Sequence, residues 1–174
     1  YTASSQSRSD VAGLTNGGFV VTWESFSQDA ADTSGVFAQR YADNGTKAGT
    51  EFQVNTYTAS HQHTSAVAGL TNGGFVVTWE SLEQDGPPTG TDSNIFAQRY
   101  AANGATDGAE FQVNTTTADK QENPHVTVLN DGIFVVAWKS IVGPGGASSI
   151  FAQRYDANGT KAGGEFQANT YTTN

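Results

Sequence analysis

Short apolar runs alternate with glycine-containing turns along the whole chain. The run at 19–25, FVVTWES, is dense in β-branched and aromatic residues, which is typical of a buried strand. It follows Asn16-Gly17, a pair that suits the positive φ angles of a type I′ hairpin turn, and a second such pair stands at Asn44-Gly45. The pattern predicts four short strands joined as hairpins, at 9–14, 19–25, 36–42 and 51–56.

These strands carry apolar residues on both faces. In FAQRY, alternation places Phe37 and Tyr41 on one face and Ala38 on the other, so we expect a sheet that is covered on both sides. No stretch has the apolar spacing of a helix longer than one turn. The fold class is therefore predicted to be all-β.

The pattern occurs three times. The fifteen residues at 11–25 recur letter for letter at 67–81, and EFQVN or EFQAN begins at Glu51, Glu110 and Glu165, so the period is 55 to 59 residues. We predict one repeat domain that covers the whole chain. Its repeats are placed at 1–56, 57–115 and 116–170, and a further repeat starts at 171–174.

Four-stranded repeats of this length are typical of β-propeller blades, small antiparallel sheets that stack face to face around an axis. Closed propellers have about four to eight blades, so three blades need completion. Two chains related by a twofold axis would give a six-bladed ring, and a longer array would do so within one polypeptide. The main alternative is a β-trefoil, which also has three four-stranded units but closes alone and usually uses shorter ones.

Composition excludes several functional classes. With 17 acidic and 8 basic residues and a net charge of −9, the chain lacks the positive surface that nucleic-acid binding requires. There is no cysteine, hence no disulfide framework, and no apolar run approaching the roughly 20 residues of a membrane helix. The absence of methionine, even at position 1, leads us to expect a processed product or a segment of a longer protein.

The consensus GGFVVTWES, QDG, IFAQRYDANG and GGEFQVNT, in that order, resembles tandem repeats of very large secreted bacterial proteins of the RTX-associated and adhesin-like kind. The resemblance covers all three copies. It implies an extracellular, array-forming module at the bacterial surface, without a known catalytic role. The glycine-rich calcium nonapeptides of RTX segments are missing, so no calcium ligand is implied by the resemblance, and the third copy also lacks the QDG loop.

One tryptophan recurs in each copy, which suggests two interpretations. The three indoles could stack on sugar rings, as in multivalent lectins, or pack between blades, which their mid-strand position favours. These residues are Trp23, Trp79 and Trp138.

One arginine also recurs inside each third strand, where burial would require a partner. We expect structural ion pairs that fix the register of the blades. The arginines are Arg40, Arg99 and Arg154, and the expected partners are Glu51, Glu110 and Glu165, or Glu24 and Glu80, with Lys139 at that place in the third copy.

The acidic loops are candidate calcium sites, because Ca²⁺ prefers six to eight oxygen ligands from flexible loops. The candidates are Asp29, Asp32, Glu83, Asp85 and Asp92. The matching loop of the third copy has no carboxylate, so solvated loops are the simpler expectation. His61 and His63 alternate along a predicted strand, but two histidines without a fixed third ligand are a weak metal signal.

The functional hypothesis is a non-catalytic structural or adhesive module without a required cofactor, which associates with a second copy or with neighbouring repeats. The alternative is a lectin-like binder with one glycan site per repeat. An enzyme is the weakest option, because no Ser, His and Asp combination has a distinguishing context. What repeats is strand interior and turns, which favours the structural hypothesis.

Overall fold

The computed structural model describes residues 5–85, 92–117, 120–142 and 147–170. The predicted further repeat at 171–174 lies outside them. The described residues contain twelve β-strands: β1 (Gln6–Gly13), β2 (Phe19–Phe26), β3 (Ser34–Tyr41), β4 (Phe52–Gln53), β5 (Gln62–Gly69), β6 (Phe75–Leu82), β7 (Ser93–Tyr100), β8 (Phe111–Gln112), β9 (Lys120–Val128), β10 (Phe134–Val142), β11 (Ala147–Tyr155) and β12 (Phe166–Gln167). The described residues contain no helix that is long and apolar enough to cross a membrane.

The strands form three separate four-stranded antiparallel sheets in hairpin order, β1 to β4, β5 to β8 and β9 to β12. We call them the first, second and third blades. Each predicted set of four strands is confirmed, although the fourth strand is only two residues long and the first begins earlier than the pattern indicated. Three sheets that each hold their own four strands confirm propeller-like blades rather than the alternative β-trefoil.

The first strand of each blade is the innermost one. β1 lies beside β5 and β5 beside β9, while β5 also packs on β2 and β3, and β9 on β6 and β7. The backbones approach so closely that a Cβ on Gly69 would lie 2.2 Å from the carbonyl oxygen of Gly13. Glycine is required there because no side chain fits between the two strands.

Each innermost strand is interrupted near its start. The register against the second strand shifts there, and Arg8, Thr64 and Asn123 take left-handed φ angles of 47°, 53° and 55°. These residues occupy the same place in the three repeats. The bulge turns their backbone N–H groups out of the ladder, and they need other acceptors.

Candidate functional site

The junctions between blades have the same construction twice. The second blade turns an aromatic-rich face toward the first blade, and we call this face of any blade its front face. On the second blade it consists of Val67, Phe75, Val77, Trp79 and Tyr100, which share one buried cluster with the back face of the first blade: Leu14, Val20, Val36, Ala38 and Val54.

The second junction repeats this arrangement with equivalent residues. The back face of the second blade (Leu70, Val76, Ile95, Ala97, Val113) packs on the front face of the third (Phe134, Val136, Trp138, Tyr155). Front therefore meets back at both junctions. The apolar residues on both sides of each strand, noted in the sequence, are explained by this stacking.

Polar bonds tie the blades together at equivalent places. Tyr100 donates its hydroxyl hydrogen to the Val54 carbonyl at 3.3 Å, and Tyr155 donates to the Val113 carbonyl at 3.4 Å. Burial raises the pKa of both tyrosines above the ordinary phenol value. The two hydroxyls therefore remain protonated hydrogen-bond donors.

A repeated arginine reaches from each blade into a turn of the next. Arg40 donates to the Asn103 carbonyl, and Arg99 to the Asn158 carbonyl. The glycine that follows each asparagine makes room, because a Cβ on Gly104 would lie 2.7 Å from the Arg40 guanidinium. The turn glycines thus serve the neighbouring blade as well as their own turn.

At the two internal junctions, the repeated glutamate that precedes the fourth strand binds a threonine of the preceding blade and not a repeated arginine. Glu110 accepts from the backbone N–H and hydroxyl of Thr56 at 2.8 and 3.0 Å, and Glu165 accepts in the same way from Thr115. The prediction that the arginines pair with these glutamates is wrong for Arg99, whose ion pair is with Asp107. The backbone supplies most of the partners instead, so side-chain charge patterns did not show them.

The strand-two carboxylates satisfy the bulges. Glu24 accepts from the backbone N–H of Thr64 at 2.5 Å and from the Arg8 guanidinium at 3.0 Å. Glu80 accepts from the backbone N–H of Asn123 at 3.4 Å. Each carboxylate thus accepts a hydrogen bond from the innermost strand of the next blade.

The surroundings of Glu80 change its protonation. Burial raises its pKa to about 7, and the imidazole of His63 lies 3.7 Å away. Burial also lowers the pKa of His63. In the third blade Lys139 replaces the glutamate and pairs with Glu122 at 3.3 Å.

The repeated tryptophans differ in exposure. Trp79 and Trp138 are fully buried in the junctions, and the Trp138 indole donates to Gln121 at 3.0 Å. Trp23 is half-buried, because none of the sheets in the described residues packs on the front face of the first blade. A sugar ring cannot stack on Trp79 or Trp138 in this arrangement.

The acidic-loop residues have protein partners. Asp29 accepts from the Gln53 amide at 2.7 Å, and Asp85 accepts from Asn94 and Gln112 at the same distance. Asp32 and Glu83 have left-handed backbone conformations in these loops. The backbone carbonyl of Asp92 closes the second loop by accepting from the backbone N–H of Glu83. Among the described residues, no three His, Asp or Glu side chains converge as a metal site.

The three histidines do not converge on one site in the described residues. The backbone N–H of Ser34 donates to His61 Nδ1 at 3.2 Å, across the first junction. His125 lies on the exposed side of β9.

The front face of the first blade and the back face of the third blade have no described blade packed on them, and we call them the two end faces. Val11, on the front face of the first blade, is 60% exposed, whereas its repeat equivalent Val67 is 6% exposed. On the back face of the third blade, Ile150 is 43% exposed, whereas Ile95 is fully buried. Leu129 and Phe166 are exposed on the same back face. Sequence reasoning missed these faces because the residues themselves are those of the buried repeats.

A polar crevice of about 350 Å³ lies between the first and second blades. Its lining combines hydroxyl groups, an ion pair and one exposed aromatic ring: Ser5, Ser7, Arg8, Glu24, Phe26, Ser34 and His63. Phe26 and Arg8 are replaced by Leu82 and Thr64 in the second copy. These departures from the repeat are the signal that could have pointed to the crevice.

Comparison with known proteins supports the fold. No family model and no curated protein matches the chain. Among solved structures, it is similar to the Hadza microbial sialidase Hz136, with a TM-score of 0.66 and 12% identity over 90% of this chain and 36% of the sialidase chain.

It is also similar to two proteins from Bacteroides thetaiotaomicron VPI-5482. For an endo-1,4-beta-xylanase the TM-score is 0.58 at 8% identity, over 94% of this chain and 60% of that one. For an endo-arabinase it is 0.54 at 14% identity, over 93% and 61%. The chain thus spans less than two thirds of each of these three structures. At these identities the likeness shows a shared arrangement of blades.

Proposed function

We propose that this chain is a non-catalytic structural and interaction module, which supplies three propeller blades and binds further blades through its two end faces. One observation carries the proposal: the large apolar side chains exposed on the end faces occupy repeat positions that are buried at the internal junctions. Exposed apolar patches of this kind are typical of interaction surfaces.

Further features support a structural role rather than catalysis. Glu24 and Glu80, two buried carboxylates, are bonded to the backbone of the next blade. At each internal junction one repeated arginine, one glutamate and one tyrosine also bridge the two blades. The repeat has thus placed its polar side chains where they hold blades together. This is the construction expected of an array-forming module.

The location that we propose is extracellular, at a bacterial surface. The support is the resemblance to secreted RTX-associated and adhesin-like repeats, together with the excess of 17 acidic over 8 basic residues. A module held together by blade stacking needs no disulfide in such a place.

A tandem fusion tests the module. Two copies are joined with Thr170 of the first bonded directly to Tyr1 of the second, which keeps the spelling NT-YTAS of the internal boundary at Asn55 to Ser60. We expect a higher thermal midpoint for the fusion than for the chain at equal blade concentration, because at least one more junction is buried.

The matched control is the same fusion carrying Val11→Glu and Ile150→Glu in both copies, so that the junctions inside each copy stay intact and every junction between copies is damaged. It should fold and lose the gain. A fusion that melts like the single chain, with or without these changes, would refute the proposal.

Carbohydrate binding is a second candidate function, and the crevice between the first two blades favours it. Sugars bind through hydroxyl partners and an apolar platform, and here Phe26 lies beside Arg8, Glu24 and Ser34. The similarity to a sialidase and an endo-arabinase is consistent with this ligand class.

The test is titration with oligosaccharides of different composition, followed by NMR. We expect shifts that Phe26→Ala abolishes and that Leu82→Ala, the same repeat position in the second blade, leaves intact. Equal effects of both variants, or no shifts, would argue against the crevice as a sugar site.

A further inference from the structure

We infer that the partner of the two end faces is a second copy of this chain, and that two copies close a six-bladed ring. The inference rests on the proposed function and adds the identity and number of the partner. It follows from the geometry of the internal junctions and from the composition of the two faces that remain open.

The internal junctions determine which face of one copy contacts which face of the other. At both internal junctions a front face receives a back face, and never a face of its own kind. The first blade leaves its front face open and the third blade its back face. A second copy therefore docks head to tail, with the third blade of one copy against the first blade of the other.

The number of copies follows from blade counting. Identical three-bladed chains stacked in this way close only at multiples of three blades. Closed propellers have about four to eight blades, and six is the one multiple of three in that interval. Two copies related by a twofold axis satisfy both junctions at once and leave no open face.

The apolar part of the closing junction is nearly the same as that of the internal junctions, with Ala168 in place of Val54 or Val113. Leu129, Ile150 and Phe166 of one copy stand where Leu14, Val36 and Phe52 stand in the first internal junction. Phe52 contacts the ring of Tyr100 there, with centroids 5.2 Å apart. Phe166 would contact Tyr41 of the second copy in the same way.

Most of the polar contacts are reproduced as well, and the exception is the bulge N–H of Arg8, which meets Lys139 where the internal junctions supply Glu24 or Glu80. By repeat equivalence, Arg154 is placed to donate to the Asn44 carbonyl of the second copy, as Arg40 does to Asn103. Thr170 is placed to donate to Glu51 of that copy, as Thr56 does to Glu110. Arg154 is exposed in the isolated chain, whereas Arg99 is buried.

The charges at the closing junction are already paired. Lys139 meets the bulge residue Arg8 of the second copy, but Lys139 is held by Glu122 and Arg8 by Glu24 within their own blades. Two neutral ion pairs thus face each other. Closure leaves no lone charge in the junction, which would be costly.

Sedimentation equilibrium of the full chain, over a hundredfold range of concentration, tests the inference. We expect a species of twice 18.2 kDa. Val11→Glu on the front face and Ile150→Glu on the back face should each weaken the dimer at least tenfold, whereas Ala105→Glu, in an exposed turn of the second blade, should not.

Mixing the two weakened variants distinguishes head-to-tail contact from contact between like faces. A Val11→Glu chain keeps an intact back face and an Ile150→Glu chain keeps an intact front face. The mixture therefore regains one undamaged junction and should form a heterodimer. Like-face contact predicts instead that only one of the two variants dissociates and that mixing restores nothing.

Each result has a defined meaning. A monomer at all concentrations, an open-ended polymer, or a dimer that only one variant affects overturns the inference. If the chain is monomeric while the tandem fusion still gains stability, the module stands and the second-copy partner fails. If either variant fails to fold, as shown by circular dichroism, Leu129→Glu on the back face or Phe19→Glu on the front face replaces it.

Discussion

The substitution pair Ile95→Ala and Ile150→Ala separates a closed junction from an open one by the same chemical change. Both isoleucines have the same place in the repeat, opposite Glu80 and Lys139 respectively. Both donate their backbone N–H to an asparagine side chain at 2.7 Å, Asn114 or Asn169. Backbone effects and strand propensity are thus matched, and the difference between the two variants reports packing alone.

The magnitudes follow from burial. Ile95 is fully buried, so its truncation removes apolar contacts and leaves a cavity, which costs about 3 kcal/mol within the usual range for such changes. Ile150 is 43% exposed, so just over half of its surface is shielded and the gap opens to solvent. We expect a loss of about 1 kcal/mol in the monomer.

Urea unfolding followed by circular dichroism measures both losses, at a concentration where light scattering shows monomer. At concentrations where the dimer forms, the loss for Ile150→Ala should rise toward that for Ile95→Ala, since association adds stability by mass action. Equal losses for the two variants in the monomer would refute the assignment of Ile150 to an open face.

Three further predictions follow. First, the fold favours protonated Glu80, so this stabilisation is complete below pH 4.5 and is lost as pH rises through about 7. In urea unfolding, the free energy of unfolding of Glu80→Gln should be about 2 kcal/mol higher than that of the wild type at pH 8 and equal to it near pH 4. A variant less stable than the wild type at both pH values would contradict this. Second, chains that retain one tryptophan should show acrylamide-accessible, red-shifted fluorescence for Trp23 and protected, blue-shifted fluorescence for Trp138, with Trp23 becoming protected as concentration rises; constant accessibility would contradict a front-face contact. Third, the double variant Lys139→Glu with Glu122→Ser reproduces the Glu24 and Ser7 pair of the first blade and should tighten self-association about tenfold in sedimentation equilibrium, because a carboxylate then faces Arg8 and its bulge N–H; unchanged association would place Lys139 outside the contact.

Much of the blade was predictable because its signals are local. Asn-Gly turns, β-branched runs and two-residue alternation specify hairpins without knowledge of distant contacts, and repetition converts one hairpin pattern into three blades. The strand ends were less predictable. The fourth strand shortens to Phe52–Gln53 because the following Val54 and Asn55 turn to serve the junction and the β3 backbone.

The candidate site was less predictable because it is built between copies. Arg40 and Glu110 both contact a neighbouring blade, but their partners are a turn carbonyl and a threonine, which charge pairing cannot anticipate. The bulge at Arg8 has no sequence signature, since Thr64 and Asn123 hold the same conformation with different side chains. Repetition identifies these positions as important and leaves their partners undetermined.

Repetition also separates the residues that build blades from those available for anything else. Residues that recur in all copies, such as the tyrosines of the third strands, are bonded across the junction wherever a blade precedes their own, as Tyr100 and Tyr155 are, so their recurrence is explained by assembly. A ligand-binding role must therefore be sought among positions where the copies differ. Phe26 and Arg8 are such positions, and both line the crevice between the first two blades. In a ring of two chains this crevice would occur twice, half a turn apart, so a ligand that carries two copies of the recognised group and spans both crevices would be held bivalently.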